Sequence, residues 1–274
     1  MLYLGSDISC FILYHLVRYR RKVVRDNLVK SFPEKSAQEI KKIEKQFYHN
    51  FCDLVAEALQ LRRMKSSDVL DRITFTNPEL LEELYRKGRS VFLAMQHSSN
   101  WEWFVAIQQA ISSHRHFTIY KRLENNYFND LVFRLRTRFA EDKDVMIEDR
   151  MVKKAMENIN DSVNAVLILG DQSPKGAETD YWTDFLHRDT CWYTGMEKLA
   201  KKFEYAVVYV EMLRVKRGFY KVTYKLICED SQTMEDGCVL EQYVRHVERF
   251  IQDYPDNWLW SHRRWKHSRQ NKAS

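Results

Sequence analysis

Residues 90–103, Ser-Val-Phe-Leu-Ala-Met-Gln-His-Ser-Ser-Asn-Trp-Glu-Trp, decide the fold of this chain. The apolar run Val91–Met95 lies between a glycine and polar residues, which is typical of a short strand buried on both faces of a parallel sheet. Good helix N-caps follow, and the sequence from Trp101 onward has helical spacing. The stretch therefore predicts a core strand, a turn and a helix, with His97 at the carboxyl end of the strand.

His97 and Glu102 form a candidate catalytic pair across this turn. Ligands of α/β proteins usually bind at the carboxyl ends of the strands. A histidine near a carboxylate at that position is suited to act as a general base with an orienting partner. The alternative is a structural histidine whose hydrogen bonds are satisfied at a helix N-terminus.

Strand and helix patterns alternate along most of the chain. This alternation predicts an α/β fold with a mixed, mostly parallel central sheet flanked by helices. Residues 173–192, rich in charges and aromatic rings, are predicted to form a loop. The other predicted strands are residues 73–77, 117–121, 145–149, 164–172, 205–213 and 219–229.

The N-terminal residues 1–17 are mostly apolar and are followed at once by a basic cluster at 18–22. A membrane-spanning helix needs about 20 apolar residues, so this segment is of marginal length. The order of the charges predicts that the following chain stays in the cytoplasm. We expect residues 1–22 to form a membrane anchor or interfacial helix and residues 23–274 a catalytic domain. The alternative is a buried N-terminal helix of a soluble protein.

The composition narrows the kinds of site that the chain can hold. Its net charge of +6 over 274 residues suits an anionic partner such as a phospholipid surface, a phosphorylated glycolipid, nucleic acid or an acidic carrier protein. The five cysteines are scattered without a Cys-x-x-Cys pair, which fits a reducing compartment and argues against a zinc site. No histidine spacing typical of metal sites and no glycine-rich phosphate loop occurs, so neither a metal nor a nucleotide cofactor is expected.

The segment from His97 to Glu102 resembles a known family. It has the His-x-x-x-x-acid pattern of the glycerolipid acyltransferase superfamily, and its Asn-Trp-Glu form resembles the lipid A late acyltransferases, the lauroyl- and myristoyl-transferring branch. Further blocks follow in the family's order, and together they cover nearly the whole chain. They are YRRKVVRDNLVKSFPEKS (19–36), TIYKRLENNYFNDLVFRLRTRF (118–139), DQSPKGAE with DFLHRDT (171–178 and 184–190), and the close from Pro255 to Lys266.

Two blocks depart from the family pattern. Residues 120–122 read Tyr-Lys-Arg where the family usually has Tyr-Arg-Pro, and residues 185–187 read Phe-Leu-His where it usually has Phe-Phe-Gly. These departures concern the acceptor and the acyl-chain preference more than the reaction.

The resemblance implies a glycerolipid-acyltransferase-like fold and transfer of a fatty acyl group from an acyl carrier protein thioester to a hydroxyl of a lipid A precursor. The reaction would take place on the cytoplasmic side of a bacterial inner membrane, without a metal or cofactor. Coenzyme A remains open as an alternative acyl carrier. The implied catalytic residues are His97 as base, Glu102 as its partner and Arg136; the implied substrate-binding residues are Asn100, Lys121, Arg134, Arg138, Asp171 and Gln172.

Several of these roles have plain alternatives. Any of the three arginines could belong to a solvated basic face, and Asp171, expected to orient an arginine or the acceptor's polar head, could simply form a turn. Two other functions also remain open. One is an acyltransferase of the same superfamily that acts on another glycerophospholipid, aminolipid or glycolipid. The other is a nucleic-acid-binding protein that uses the arginine-rich segment 133–139 and the basic, tryptophan-rich tail.

Overall fold

The computed structural model describes residues 2–107, 112–140, 145–159, 161–174, 181–267 and 269. Seven of the described strands form one sheet in the order β1-β9-β8-β2-β5-β3-β4, and β6 and β7 form a separate two-stranded ribbon. The strands are β1 (Ile73–Phe75), β2 (Val91–Met95), β3 (Arg115–Tyr120), β4 (Met146–Glu148), β5 (Asn164–Leu169), β6 (Tyr181–Asp184), β7 (Asp189–Trp192), β8 (Ala206–Lys216) and β9 (Phe219–Cys228).

The helices lie between these strands and before and after them. The first, α1, continues into a π-helical segment, Ile12–Val17, and a short 3₁₀ turn, Asp149–Met151, precedes α8. The α-helices are α1 (Leu2–Phe11), α2 (Arg21–Ser31), α3 (Ala37–Gln60), α4 (Ser66–Leu70), α5 (Glu79–Arg86), α6 (Trp101–Ile107), α7 (Asn126–Arg136), α8 (Val152–Ile159), α9 (Gly195–Phe203) and α10 (Cys238–Asp253).

The sheet is mixed and mostly parallel. Among its described pairings β8 and β9 run antiparallel, and all the others are parallel. The antiparallel pair turns at Gly218, whose φ of +76° is a conformation that glycine adopts without strain. The predicted fold class is confirmed, with helices on both faces of the sheet.

Strand β2 lies between β5 and β8, and all five of its side chains are buried. Phe92 and Ala94 belong to the hydrophobic core on one face of the sheet, whereas Val91, Leu93 and Met95 belong to the core on the other face. Because both faces are covered, every position of the strand must be apolar. This packing explains the uninterrupted apolar run in the sequence.

The segment predicted as a loop at 173–192 contains strands β6 and β7, so that prediction is wrong for 181–192. Between the strands Leu186 and His187 both have positive φ, and Phe185 and Trp192 are fully buried. Burial of aromatic side chains stabilises this ribbon, although its sequence is rich in charges. Residues 175–180 of the third family block and residues 108–111 of the predicted helix after Trp101 lie outside the described residues.

Helix α1 packs against the long helix α3 through polar contacts. Ser6 Oγ donates a hydrogen bond of 2.6 Å to the buried carboxylate of Asp53. The guanidinium of Arg217 bridges the two helices, since its Nη2 lies 2.7 Å from Asp53 on α3 and 2.5 Å from Asp7 on α1. None of the helices in the described ranges combines the length and the apolar character needed to cross a bilayer. The first helix is thus fixed to the rest of the protein along one face.

Candidate active site

His97 and Asp171 meet because of the sheet register. Strands β2 and β5 are parallel neighbours in which Met95 pairs with Leu169, so the residues two positions further along emerge side by side at the carboxyl edge. Asp171 Oδ1 lies 2.6 Å from His97 Nδ1, and Asp171 Oδ2 accepts a hydrogen bond of 3.0 Å from the backbone N–H of His97. The carboxylate therefore fixes both the ring and the backbone of the histidine.

The ionised form of Asp171 is favoured although the residue is 2% exposed. Burial alone would raise the pKa of this carboxyl group, but the charge and hydrogen bonds of His97, together with the indole N–H of Trp258 at 2.7 Å, lower it below its ordinary value. A buried carboxylate with three hydrogen-bond donors is well satisfied. It can stabilise a positive charge on the imidazole ring.

The other ring nitrogen of His97 faces the open side of the site. The side chain is 19% exposed, and the amide nitrogen of Gln172 lies 3.3 Å from Nε2. Since Asp171 faces Nδ1, the neutral ring carries its proton there, and Nε2 presents its lone pair. This is the tautomer that a general base needs.

Glu102 does not orient His97 as the sequence pattern predicted. Its carboxylate receives two hydrogen bonds from Arg136, at 2.9 Å from Nε and 2.7 Å from Nη2, and a third of 3.0 Å from the indole of Trp101. The reason is that Glu102 lies on α6, which packs against α7, the helix that carries Arg136. The observed partner of the histidine is thus Asp171, whereas Glu102, which was expected in that place, is the partner of Arg136.

The Glu102–Arg136 pair is half-buried, with side chains 17% and 21% exposed. Burial raises the pKa of Glu102, but the charge and hydrogen bonds of Arg136 outweigh that effect and lower it. In Arg136 burial lowers the pKa, while the Glu102 charge and hydrogen bonds raise it above its ordinary value. Both groups are therefore charged near neutral pH, and the charge of His97 also acts on Glu102.

The remaining predicted basic residues are less closely involved. Lys121 and Arg134 are exposed, and Arg138 donates to the backbone carbonyl of Met64 at 3.3 and 3.4 Å. Arg136 is the one member of this predicted set that the structure brings to Glu102. Gln172 is exposed beside His97, as noted above.

Asn100, predicted to bind substrate, is fully buried. Its Oδ1 accepts from the backbone N–H of Trp103 at 3.2 Å and so caps α6, while its amide nitrogen donates to Glu57 at 2.7 Å. Both ends of the side chain are bonded within the protein. In this structure Asn100 supports the turn and does not face the open site.

The C-terminal segment 257–264 completes the site, and the sequence analysis missed its functional residues. The backbone N–H of Ser99 donates to Asn257 at 3.0 Å, and that of Leu259 donates to the carbonyl of His97 at 3.1 Å. The segment thereby holds the turn in place. In the sequence this segment was marked only by its resemblance to the family's terminal block, and its tryptophans and basic residues also suited the nucleic-acid-binding alternative.

Two further side chains of this segment, His262 and Arg264, lie near Asp171. His262 Nε2 accepts a hydrogen bond of 3.2 Å from the backbone N–H of Ser173, and burial lowers the pKa of its imidazole to about 4. Arg264 is fully buried over the ring of Trp192, where burial lowers the pKa of its guanidinium to about 10. His262 is therefore neutral and Arg264 is charged at neutral pH.

The chemistry available at this site is proton transfer at His97 Nε2, and the helix that starts after the same turn carries Glu102, which binds the cation Arg136. Within the described ranges no group of three or more histidine, cysteine, aspartate or glutamate side chains could hold a metal ion. An exposed base and a hydrogen-bond donor at the carboxyl edge of a sheet suit the attack of a hydroxyl group on a carbonyl carbon.

Comparison with known proteins finds a matching family model. The family model described as bacterial lipid A biosynthesis acyltransferase matches residues 4–267 of the 274-residue chain. No match was found among the curated proteins.

Proposed function

Since the chain belongs to the bacterial lipid A biosynthesis acyltransferase family, and is an acyltransferase of lipid A synthesis, we propose that it transfers a fatty acyl group from an acyl carrier protein thioester to a hydroxyl of a lipid A precursor. The observation that carries the mechanism is the 2.6 Å contact between His97 Nδ1 and Asp171, which leaves Nε2 as the base. The family resemblance noted in the sequence is confirmed.

The reaction starts when His97 Nε2 accepts the proton of the acceptor hydroxyl. The oxygen attacks the thioester carbonyl, and Asp171 stabilises the imidazolium ion that forms. The tetrahedral intermediate then collapses, the carbon–sulfur bond breaks, and the leaving sulfur takes the proton from Nε2. The products are an ester and a free thiol, and the enzyme returns to its starting state without a nucleophile of its own.

Arg136 supplies the stabilising charge for the oxyanion. Two of its nitrogens, Nε and Nη2, bind Glu102, and no described residue is bonded to Nη1. The fork of the guanidinium is thus fixed in orientation while one nitrogen stays available for a substrate oxygen. In this mechanism Glu102 positions the arginine and does not contact the reacting atoms.

Charge and surface support the proposed donor and the proposed location. A net charge of +6 suits an acidic carrier protein and an anionic lipid surface. Helix α1 exposes Leu4, Ile8 and Phe11, with 67%, 56% and 58% of each residue accessible, ahead of the basic cluster at 18–22. We place the enzyme on the cytoplasmic side of a bacterial inner membrane, with this face toward the lipid.

The test is acyl transfer by purified protein in detergent, with acyl carrier protein thioesters as donors and a lipid A precursor as acceptor. Mass spectrometry of the lipid should show the mass of one added acyl group. His97→Ala should abolish the product, because it removes the proposed base. The exposed His49 on α3, changed to alanine in the same way, should leave the rate unchanged.

Near-normal turnover by a folded His97→Ala protein would show that His97 is not the base. The same assay separates the leading acceptor from its alternatives, since a glycerophospholipid or an aminolipid would gain mass in place of the lipid A precursor. Coenzyme A thioesters as donors separate the two possible acyl carriers.

The nucleic-acid-binding alternative is less well supported. Stacking on bases requires exposed aromatic rings, and Trp258 and Trp260 of the C-terminal segment are 2% and 0% exposed. Arg136 and Arg264, which that alternative would place on phosphates, are bonded within the protein. Salt-sensitive oligonucleotide binding that His97→Ala leaves intact would favour it.

A further inference from the structure

A groove of about 1010 Å³ lies between α1 and α3, away from the histidine. Its walls come from one side of each helix, and most of the lining side chains are small or apolar. The α1 side, continued by the π-helical segment, contributes Gly5, Ser9 and Leu13, and the α3 side contributes Phe51, Val55 and Leu59. The volume is that of a site for a sizeable apolar ligand.

Gly5 lies on the α1 side of the groove. A glycine inside a helix is less favourable than an alanine, so a reason for it is expected. A Cβ atom built on Gly5 meets no other atom within 4 Å, which means that no neighbouring backbone or side chain demands a glycine there. The missing side chain leaves free width in the groove, and a large side chain at this position would occupy part of it.

One end of the groove is cationic. Arg62 and Arg63 follow the last turn of α3, are exposed, and line the groove. An apolar channel with two arginines at its end matches an acyl chain that carries an anionic head group. The outward face of α1, with Leu4 and Ile8 exposed beside the groove, offers such a molecule an entrance from a bilayer.

A second, smaller hollow adjoins the groove. Phe51 lines both the groove and this hollow, which Ser99 and Trp101 line as well. The ring of Trp101 is 5.3 Å from the ring of His97 between centroids. The second hollow thus has one lining residue in common with the groove and another whose ring contacts His97.

We propose that the groove between α1 and α3 binds an acyl chain of a phosphate-bearing membrane lipid, with Arg62 and Arg63 at the phosphate. As the site of the acceptor lipid, this assignment rests on the proposed function, and binding is therefore tested apart from transfer. Gly5 acts as the residue that sets the free width of the groove.

The probe is phosphatidic acid with a diazirine on one acyl chain, photolysed with the full chain in detergent micelles, followed by peptide mapping. Labels should fall on residues 2–13 and 51–59. Gly5→Phe should strongly reduce labelling there, because the ring would occupy part of the space between the two helices. Its control is Val29→Phe, an exposed position on α2 that does not line the groove, which should keep the wild-type labelling.

The charge requirement is tested with the double variant Arg62→Gln/Arg63→Gln. Its labelling by phosphatidic acid should fall roughly 30-fold, as expected for two lost surface cations, while labelling by a diazirine diacylglycerol without a phosphate should not change. Circular dichroism confirms that each variant is folded.

Unchanged labelling in Gly5→Phe, or labels that map elsewhere, would refute the groove as a lipid site. An equal loss of both probes in the arginine variant would refute the phosphate contact. Labelling in the predicted pattern by protein that transfers no acyl group would establish the groove and overturn the proposed reaction.

Discussion

Asp171 binds His97 at two points, the ring Nδ1 and the backbone N–H, and receives the indole of Trp258 as a third donor. This arrangement resembles the acid and histidine of a serine protease triad, in which the carboxylate selects the tautomer and stabilises the imidazolium. In the proposed mechanism the orientation and tautomer of His97 therefore depend on one buried side chain, that of Asp171.

Asp171→Asn should lower the rate of acyl transfer by about 10⁴-fold, because an amide at this position favours the wrong tautomer of the histidine. Steady-state kinetics with saturating acceptor would show the loss in kcat. Asp161→Asn, in the exposed turn that precedes β5, is the matched control and should keep the wild-type rate. A kcat within a few-fold of wild type for Asp171→Asn would contradict the orienting role.

Asn100→Ala should lower the stability of the fold. The side chain caps α6 and satisfies the buried Glu57, so its removal costs about 1–3 kcal/mol of unfolding free energy in urea titrations. The KM for the acceptor should be unchanged in the protein that remains folded. A large rise in KM without loss of stability would instead show that Asn100 binds substrate, as the sequence pattern suggested.

At the scale of elements, the Glu102–Arg136 pair joins α6 to α7 beside the base. Helix α6 starts from the catalytic turn, whereas α7 belongs to the next strand–helix unit. A bidentate contact fixes the two helices relative to each other and aims the guanidinium. The pair therefore has both a positioning and a structural effect.

Arg136→Lys and Glu102→Gln should each reduce kcat by about 10²–10³-fold, and the double variant should lose little more than either single one. The reason is that both changes remove the same oriented oxyanion donor. Rates of the three variants, measured as a double-mutant cycle, test this coupling. Arg134→Lys, exposed on the same helix, is the control, and fully additive losses would show that the two residues act independently.

At the scale of the whole molecule, buried neutral histidines make folding sensitive to acid. Burial lowers the pKa of His116 to about 3 and that of His262 to about 4. In the unfolded chain both titrate near 6.5, so between these values the unfolded state binds more protons. The stability that these groups provide is complete above about pH 6.5 and is lost as the pH falls toward 4.

The free energy of unfolding should therefore drop between about pH 7 and pH 5, by up to roughly 1.4 kcal/mol per pH unit for each histidine. Urea titrations at several pH values measure the slope. His262→Gln should flatten it, because glutamine keeps a polar side chain without a titrating group. A free energy of unfolding independent of pH over this range would contradict the buried neutral state.

The sequence by itself determined the position of His97, the proposed base. The run Val91–Met95 specifies a strand buried on both faces, and the N-cap residues after it start a helix, so His97 must stand at the carboxyl edge of a sheet. These are local effects of spacing and burial, and a single stretch contains them. The fold class followed in the same way from the alternation of strands and helices. The ribbon at 181–192 was not predicted, because its stability comes from burial of aromatic side chains such as Phe185 and Trp192, which the local sequence does not show.

Only the tertiary structure decided which acid serves the base. Glu102 is five positions from His97 in the sequence but turns toward α7, whereas Asp171, 74 residues away, lies beside the ring because β5 is the neighbour of β2 in the sheet. Strand order and helix packing depend on contacts between distant segments, which no local pattern encodes. The same holds for the C-terminal segment with Trp258 and for the groove beneath α1. The sequence predicted where His97 lies, and contacts between distant segments determined that Asp171, and not Glu102, is bonded to it.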